Sequence, residues 1–170
     1  MKKLFFILYS LFICAGARAS ALETIGDMME VGLPAYAFGL SMGETGYEGA
    51  RQFIYSYGAM RLSVAGLKSA IDEERPNKKN KDSFPSGHTA SAFSAATFIH
   101  KRYGLRQAAA PYALAAITGY SRVESKWHHW HDVAAGAAIG AVFTLAFVGR
   151  YDVMVSGDTT GARVDAKMRF

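Results

Sequence analysis

After residue 19 the chain carries its apolar residues in uncharged stretches that are shorter than a typical membrane span. They run from Val31 to Gly43, from Gln107 to Ser121 and from Val133 to Gly149, with a more interrupted one from Gln52 to Leu67. None reaches the ~18 residues expected of a transmembrane helix, although the third is near the lower limit of ~17. Two architectures satisfy this constraint: a compact bundle of short membrane helices, or an exported helical domain with unusually apolar helices.

Small residues dominate the predicted helices, as in Thr89 to Ala92 and Ala134 to Ala138. Such residues let helix backbones approach closely, and Gly136 and Gly140, four apart, could mark a helix interface. The periodicity predicts helices at about residues 25–42, 48–71, 87–103, 107–120 and 129–149. The predicted fold class is therefore all-α, a compact bundle of about five or six short helices that could be membrane-embedded.

The two ends of the chain differ from its middle. Lys2 and Lys3 precede the apolar run from Leu4 to Ala15, and Ala17-Arg18-Ala19 follows. This pattern is typical of a secretory signal peptide, with an uncleaved first membrane helix as the alternative. At the other end, alternating residues around Ser156–Gly161 predict a small C-terminal β-hairpin. The predicted organisation is 1–19 as leader or first membrane helix, 20–150 as one helical domain, and 151–170 as hairpin or tail.

The composition and the net charge of the chain limit the kinds of molecule that it is expected to bind. Apolar residues make up 51% of the 170 residues and charged residues 19%, which favours membrane contact. The formal charge of +5 suits an anionic partner, yet the basic residues are scattered rather than arranged in a stripe, apart from Lys78, Lys79 and Lys81. We therefore expect no nucleic-acid partner. The predicted leader would place the protein in the cell envelope, either in the inner membrane with a periplasm-facing site or in the periplasm.

Three separated segments concentrate residues that suit an anion site. In the first, Lys68 and Arg75 lie seven apart, so a helix reaching Arg75 would put both cations on one face. In the second, Ser86, Gly87 and His88 precede a helix-compatible run. A helix start offers free N–H groups to an anion, Gly87 permits close approach, and Ser86 can donate its hydroxyl or simply cap the helix. His88 could deliver a proton to a leaving oxygen.

The third segment runs from Ser121 to Asp132 and supplies a candidate nucleophile. Arg122 offers a planar fork that can bind two phosphate oxygens. His128 and Asp132 stand four apart, so on a helix the carboxylate can reach the imidazole. Asp132 bound to Nδ1 would leave Nε2 bare for attack on phosphorus and would stabilise the developing imidazolium.

Together the three segments resemble the signature motifs of the type 2 phosphatidate phosphatase superfamily. The fold of that family is shared with bacterial non-specific acid phosphatases and vanadium haloperoxidases. Lys68 to Pro76, Pro85 to His88 and Ser121 to Asp132 match every specified motif position. Only residues 77–84 separate the first two motifs, a shorter linker than is usual in the family.

The resemblance implies a role for each motif residue and a metal-independent histidine phosphatase that needs no cofactor. His128 would form a phosphohistidine, Asp132 would orient it and His88 would be the general acid. The phosphate would be held by the remaining motif residues: Lys68, Arg75, Ser86, Gly87 and Arg122. The expected reaction is hydrolysis of a phosphate monoester or pyrophosphate, with a phosphorylated membrane lipid as substrate. Lipid candidates are phosphatidate, phosphatidylglycerol phosphate, undecaprenyl pyrophosphate and the phosphates of lipid A.

Several alternatives remain open from the sequence. A soluble, exported, broad-specificity acid phosphatase acting on small phosphomonoesters would carry the same motifs, as would a vanadate-dependent haloperoxidase. A non-catalytic phosphate-binding membrane protein would need neither histidine. The run from His128 to Asp132 could also hold zinc, but His129 and His131 are expected to point away from the His128 face of a helix, so we predict no metal. We interpret His129 and His131, with Trp127 and Trp130, as interface aromatics or pocket walls, and we favour plain packing over substrate contact.

Overall fold

The computed structural model describes residues 21–43 and 47–149 with their side chains, and the backbone alone of residues 2–20, 151–158 and 161–168. In the described ranges, five helices follow one another along the chain. They are α1 (Lys2–Met42), α2 (Glu48–Ala70), α3 (Gly87–Tyr103), α4 (Leu105–Glu124) and α5 (Trp130–Phe147). The predicted all-α bundle is confirmed. α1 is longer than the helix predicted at about 25–42, because it continues without interruption through the apolar leader.

Two strands follow the bundle, β1 (Tyr151–Asp158) and β2 (Gly161–Met168), in antiparallel register from Tyr151 opposite Met168. The predicted leader at 1–19 and the predicted tail at 151–170 lie outside the residues whose side chains are described. The signal peptide and the three domain boundaries therefore stay predictions, as does the hairpin beyond the backbone pairing of its two strands.

α3 is the central helix and packs against each of the other four. Its residues from Thr89 to Ile99 are nearly all buried and mostly small, which is why neighbouring helices can surround it. Ser86 is its N-cap, and Gly104 ends it with φ +91°, a backbone conformation that favours glycine. α4 begins directly after Gly104, so a single glycine joins two helices.

Aromatic and aliphatic side chains fill the bundle away from the start of α3. Phe98 is fully buried about three turns along α3 from His88 and meets Phe53 edge-on at 5.0 Å between ring centroids. A smaller cluster of Met60, Val64 and Ala90 lies nearer the start of α3. The apolar core therefore supports the first turn of α3 from within the bundle.

α5 crosses α3 at the two glycines that the sequence singled out. A Cβ atom on Gly136 would collide with the carbonyl oxygen of Ser86, and one on Gly140 with that of Ala90. These contacts are with backbone, which cannot swing aside, so both positions require glycine. The predicted helix interface is present and holds α5 against the start of α3.

Within the described residues, α5 is the one helix that is long and apolar enough to cross a membrane. Its 18 residues have a mean hydropathy of 1.3, and 28% of them are buried inside the protein. Val142 and Leu145 on this helix, like Leu62 on α2 and Val31 on α1, expose more than half of their surface. Apolar side chains on the outside of three helices form a surface suited to lipid.

Gly140→Ala should destabilise the bundle because its new methyl group meets the backbone of α3. We expect a loss of about 1–3 kcal/mol in unfolding free energy, the usual cost of overpacking. Gly58→Ala is the matched control, since a Cβ there meets nothing within 4 Å; its added helix propensity should leave stability unchanged or raise it by up to about 1 kcal/mol. Chemical unfolding in detergent measures both, and equal stabilities would contradict this packing.

Candidate active site

A cavity of about 370 Å³ opens between α1, α2 and the first turn of α3. Residues from all three motif segments line it, although the segments are separate in the chain. Six of the eight predicted site residues are on its wall: Lys68, Arg75, Gly87, His88, Arg122 and His128. The other two, Ser86 and Asp132, are fully buried beside it.

His128 lies in the tight turn between α4 and α5 rather than on a helix. Its backbone N–H donates to the carbonyl oxygen of Arg122 at 3.1 Å, and α5 begins only at Trp130. The expectation that a shared helix joins His128 to Asp132 is therefore wrong. Asp132 stands in the first turn of α5 and still comes close, with Oδ2 3.5 Å from Nδ1 of His128. That distance is longer than a hydrogen bond, so the two side chains are neighbours that would form one after a small movement.

Asp132 is fixed by other contacts of the same oxygen. Oδ2 accepts a hydrogen bond from the Ser83 hydroxyl at 2.6 Å and another from the His129 backbone N–H at 2.8 Å. The backbone carbonyl of Asp132 accepts from the N–H of Ser86 at 3.0 Å. The carboxylate is thus held rigidly behind His128, at the junction of α5 with α3.

The surroundings of His128 keep its imidazole neutral. Burial is the largest of the effects that together lower the pKa of His128 from 6.5 to about 4, and the positive charges of Lys68 and Arg75 contribute in the same direction. Asp132 opposes this shift with a smaller effect. Above about pH 4 the ring therefore has a nitrogen lone pair available for attack.

Lys68 reaches the cavity from the last turn of α2, whereas Arg75 reaches it from the loop that follows this helix. α2 ends at Ala70, and Ile71 is extended, so the helix does not continue to Arg75 as the seven-residue spacing suggested. Pro76 disfavours a helical conformation at Arg75. Lys68 Nζ donates to the Asp82 carbonyl oxygen at 2.5 Å, while Arg75 Nε lies 3.0 Å from Oδ1 of the same residue. Burial lowers the pKa of Lys68.

The first turn of α3 supplies Ser86, Gly87 and His88. The Ser86 hydroxyl points at Thr89, 2.9 Å from Oγ1 and 3.5 Å from the backbone nitrogen, which favours capping over direct anion binding. A Cβ atom on Gly87 would meet only Arg61 and Val64, each at 3.8 Å. The protein fold leaves room for a side chain there, and glycine keeps that room as part of the cavity.

Three carboxylates on α1 face the same cavity and were not predicted. Asp27 Oδ1 lies 2.7 Å from Arg122 Nη1 and 3.0 Å from His88 Nε2, and Glu30 Oε2 lies 2.9 Å from the same His88 nitrogen. Glu23 accepts from the Trp127 indole N–H at 2.6 Å. The spacing of Glu23, Asp27 and Glu30, four and three residues, is a sequence signal that could have identified one helix face.

Arg122 is only 3% exposed and depends on α1 for its partners. Besides Asp27, the guanidinium donates to the carbonyl oxygen of Glu23 at 2.6 Å and to the Ser121 hydroxyl at 3.1 Å. A Cβ on Gly26 would collide with Ser121 and Arg122. Glycine at position 26 therefore allows α1 to lie directly over the cation.

Trp127 forms a wall of the cavity, one of the two interpretations that the sequence left open. The Arg75 guanidinium lies 4.9 Å from the centre of its ring and Lys79 Nζ lies 4.8 Å from it. Both distances are within cation–π range. The short loop between the first two motifs is thereby held against the site.

His129 and His131 lie beside the cavity and close to each other. Their rings stack at 5.1 Å with an interplanar angle of 7°, and Glu73 Oε1 lies 3.1 Å from His129 Nδ1 and 2.6 Å from His131 Nε2. The expectation that these histidines point away from Asp132 on a helix is wrong, because a ring nitrogen of each lies within 3.4 Å of a carboxylate oxygen of Asp132. They flank the start of α5, and Glu73, from a distant segment, joins them.

Comparison with known proteins agrees with this architecture. The sequence matches the PAP2 superfamily over residues 49–153, a region that contains all eight predicted site residues. It is 32% identical over 144 residues to the lipid A 4'-phosphatase of Helicobacter pylori, which covers 78% of this chain and 72% of that protein. It is 38% identical over 115 residues to the lipid A 1-phosphatase of Porphyromonas gingivalis, covering 59% of this chain but only 25% of that longer protein.

A solved structure gives the same fold. The crystal structure of LpxE from Aquifex aeolicus aligns with a TM-score of 0.55 at 23% identity, over 75% of this chain and 92% of that one. The matched region spans more than half of this chain, and the match to the H. pylori protein extends over most of both sequences. The chain belongs to the PAP2 superfamily.

Proposed function

We propose that this protein is a metal-independent phosphatase that removes phosphate from a membrane lipid through a phosphohistidine at His128. The observation that carries the proposal is the convergence of Lys68, Arg75 and Arg122 with His88 and His128 on one cavity. A phosphoryl group in transfer carries its charge on three equatorial oxygens, and fixed cations around those oxygens provide most of the catalysis.

In the proposed reaction, the phosphate of the substrate binds among the three cations with the first turn of α3 at Gly87. His128 attacks phosphorus through Nε2, because Nδ1 faces Asp132. As the N–P bond forms, the ester P–O bond breaks and His88 gives its proton to the departing oxygen. Water, deprotonated by His88, then attacks phosphorus, which releases inorganic phosphate and regenerates the free imidazole.

Asp27 stands where the phosphate would bind. It contacts both Arg122 and His88, the two groups assigned to the phosphate and to the leaving oxygen. An incoming phosphate must replace this carboxylate, whose side chain is 55% exposed and so free to move toward solvent. The unliganded site is thus partly neutralised by α1, and substrate binding exchanges one anion for another.

The surroundings of the cavity favour a lipid substrate. α5 begins beside His128, and only 28% of the residues of this apolar helix are buried inside the protein. Two relatives are named as phosphatases of lipid A, and other matching proteins as lipid phosphate phosphatases. We propose a membrane location with the site at the periplasmic surface, and a phosphate group of lipid A as the substrate. The predicted leader supports export of the site.

Purified wild-type protein should release phosphate from lipid A in detergent with EDTA present, because no step of the mechanism uses a metal. His128→Ala should lower the rate by about 10⁴-fold or more, since it removes the nucleophile. Phosphate release from lipid A, phosphatidylglycerol phosphate, phosphatidate and p-nitrophenyl phosphate compares the substrates. Preference for the soluble ester would indicate an acid phosphatase, and full activity of the variant would refute the assigned nucleophile.

The acid limb of kcat/KM should report the lowered pKa of His128. Protonation removes the attacking lone pair, so activity should persist at pH 5 and decline as the pH falls through about 4. Lys68→Met removes one of the charges that lower this pKa, and its limb should move upward toward 6.5. Ionisation of the substrate appears in both profiles and cancels in the comparison. A wild-type limb near 6.5, or one unchanged by the substitution, would contradict the account.

Asp27→Asn should tighten binding of vanadate, a phosphate analogue, because the competing carboxylate is gone. We expect a decrease of about two- to fivefold in the inhibition constant, the size of a partly exposed ion pair. Asp72→Asn, which removes the same charge outside the cavity lining, is the control and should behave as wild type. Weaker vanadate binding by Asp27→Asn would show instead that this carboxylate positions the cations.

A further inference from the structure

A cluster of two histidines and two carboxylates lies outside the phosphate cavity. Glu73, His129, His131 and Asp132 each direct one ligand atom to a common region, and these atoms all lie within 4.8 Å of one another. His129 is the N-cap of α5 and His131 lies in its first turn, directly before Asp132, whereas Glu73 comes from the loop after α2. The phosphatase mechanism uses only Asp132 among them.

The free oxygen of Asp132 points into this cluster. Asp132 is fully buried, and Oδ1 accepts no hydrogen bond from any side chain or backbone group that the structure describes. It lies 3.1 Å from His131 Nε2, while Oδ2 is occupied by Ser83 and by the His129 backbone. His129 Nδ1 is likewise without a hydrogen-bond partner in the described part of the chain. A buried carboxylate oxygen left unpaired is costly unless a cation binds it.

A proton on His131 Nε2 can be donated to Glu73 Oε1, 2.6 Å away, but Asp132 Oδ1 and His129 Nδ1 are still left without a hydrogen bond among the described residues. If both imidazoles were charged, two like charges would stack 5.1 Å apart. If both were neutral with their lone pairs directed inward, four electron-rich atoms would face one another. One divalent cation between them removes both conflicts, because imidazole nitrogens and carboxylate oxygens are its ligands.

The spacing of the atoms suits zinc. Three of the distances between the proposed ligand atoms are 2.6, 3.1 and 3.1 Å, and all four atoms lie within 4.8 Å of one another. Tetrahedral Zn²⁺ with bonds of about 2.0–2.1 Å holds its ligands about 3.3 Å apart, so these three pairs are already within about 1 Å of the required spacing. Glu73 is anchored on both sides, by its N–H to Lys81 and by its carbonyl to Ser83, each at 3.0 Å. Phe84 stacks on the His131 ring at 6.4 Å.

We propose that Glu73, His129, His131 and Asp132 form a zinc site, and that Zn²⁺ bound there inhibits the phosphatase through Asp132. The ion takes up Oδ1 of the carboxylate whose Oδ2 faces His128. It withdraws negative charge from that carboxylate and adds positive charge within a few ångströms of the nucleophile. Both effects disfavour the cationic ring that forms when His128 is phosphorylated.

Equilibrium dialysis of the full chain in detergent, with elemental analysis of zinc and no substrate, tests the binding. Wild type should hold one Zn²⁺ per chain after chelator treatment and reloading. His131→Ala and Glu73→Gln should each weaken binding by at least about tenfold. His100→Ala removes an exposed histidine of α3 and should bind as wild type does. Equal affinity of His131→Ala and wild type, or binding lost equally in His100→Ala, would overturn the site.

The inhibitory effect rests on the proposed function and is measured separately. Micromolar Zn²⁺ should slow phosphate release by wild type and by His100→Ala, and EDTA should restore it. His131→Ala should lose the sensitivity to zinc, measured as the ratio of its own rates with Zn²⁺ and with EDTA. Zinc bound stoichiometrically without any slowing would refute the inhibition through Asp132. If His128→Ala still bound zinc while wild type lacked phosphatase activity, the proposed function would fail and the metal site would stand.

Discussion

A guanidinium buried inside the protein must have an anion beside it, and Arg122 imposes this requirement on the whole site. The side chain is only 3% exposed, and removing such a charge from water is expensive without a partner. In the structure the partner is Asp27, 95 residues away in the sequence. Gly26 makes the contact possible by letting α1 lie against the cation.

The same concentration of positive charge sets the state of the nucleophile. Burial, Lys68 and Arg75 all lower the pKa of His128, so the cations that attract an anion also keep the imidazole neutral. A phosphate that enters the cavity neutralises them and meets a ring with an available lone pair. Binding and activation therefore have one electrostatic origin. Asp132, held by Ser83 and by the start of α5, becomes important only when the ring acquires charge during attack.

The crossing of α5 with α3 determines both the helix packing and the geometry of the catalytic residues. Gly136 allows α5 to touch the carbonyl oxygen of Ser86, and the N–H of Ser86 donates to the carbonyl oxygen of Asp132. The turn that would receive phosphate and the carboxylate behind His128 are thus parts of the same helix crossing. A shift of α5 along α3 would displace Asp132 relative to the first turn of α3. This explains why small residues are needed beside the site as well as in the core.

The sequence was sufficient for the fold class and for six of the residues that line the cavity. The limits of α3 agree with prediction because Ser86 caps its N-terminus and Gly104 ends it, and both effects depend only on the local sequence. The prediction that Arg75 and His128 lie on helices was wrong. Arg75 precedes Pro76 and lies beyond the end of α2, and His128 lies in the turn before Trp130, where α5 begins. Helix spacing also failed for His129 and His131, whose partner Glu73 comes from a distant loop that no local pattern links to them. Asp27 and Glu30 were missed because their role depends on how α1 packs.

Detection of the covalent intermediate tests the central claim most directly. In His88→Ala, p-nitrophenyl phosphate should still phosphorylate the enzyme, because its leaving group needs no proton, whereas hydrolysis of the intermediate should be slowed. Rapid quenching at alkaline pH followed by peptide mass spectrometry should then find phosphate on His128, and none in a protein that also carries His128→Ala. Phosphate on another residue, or label that persists without His128, would contradict the account.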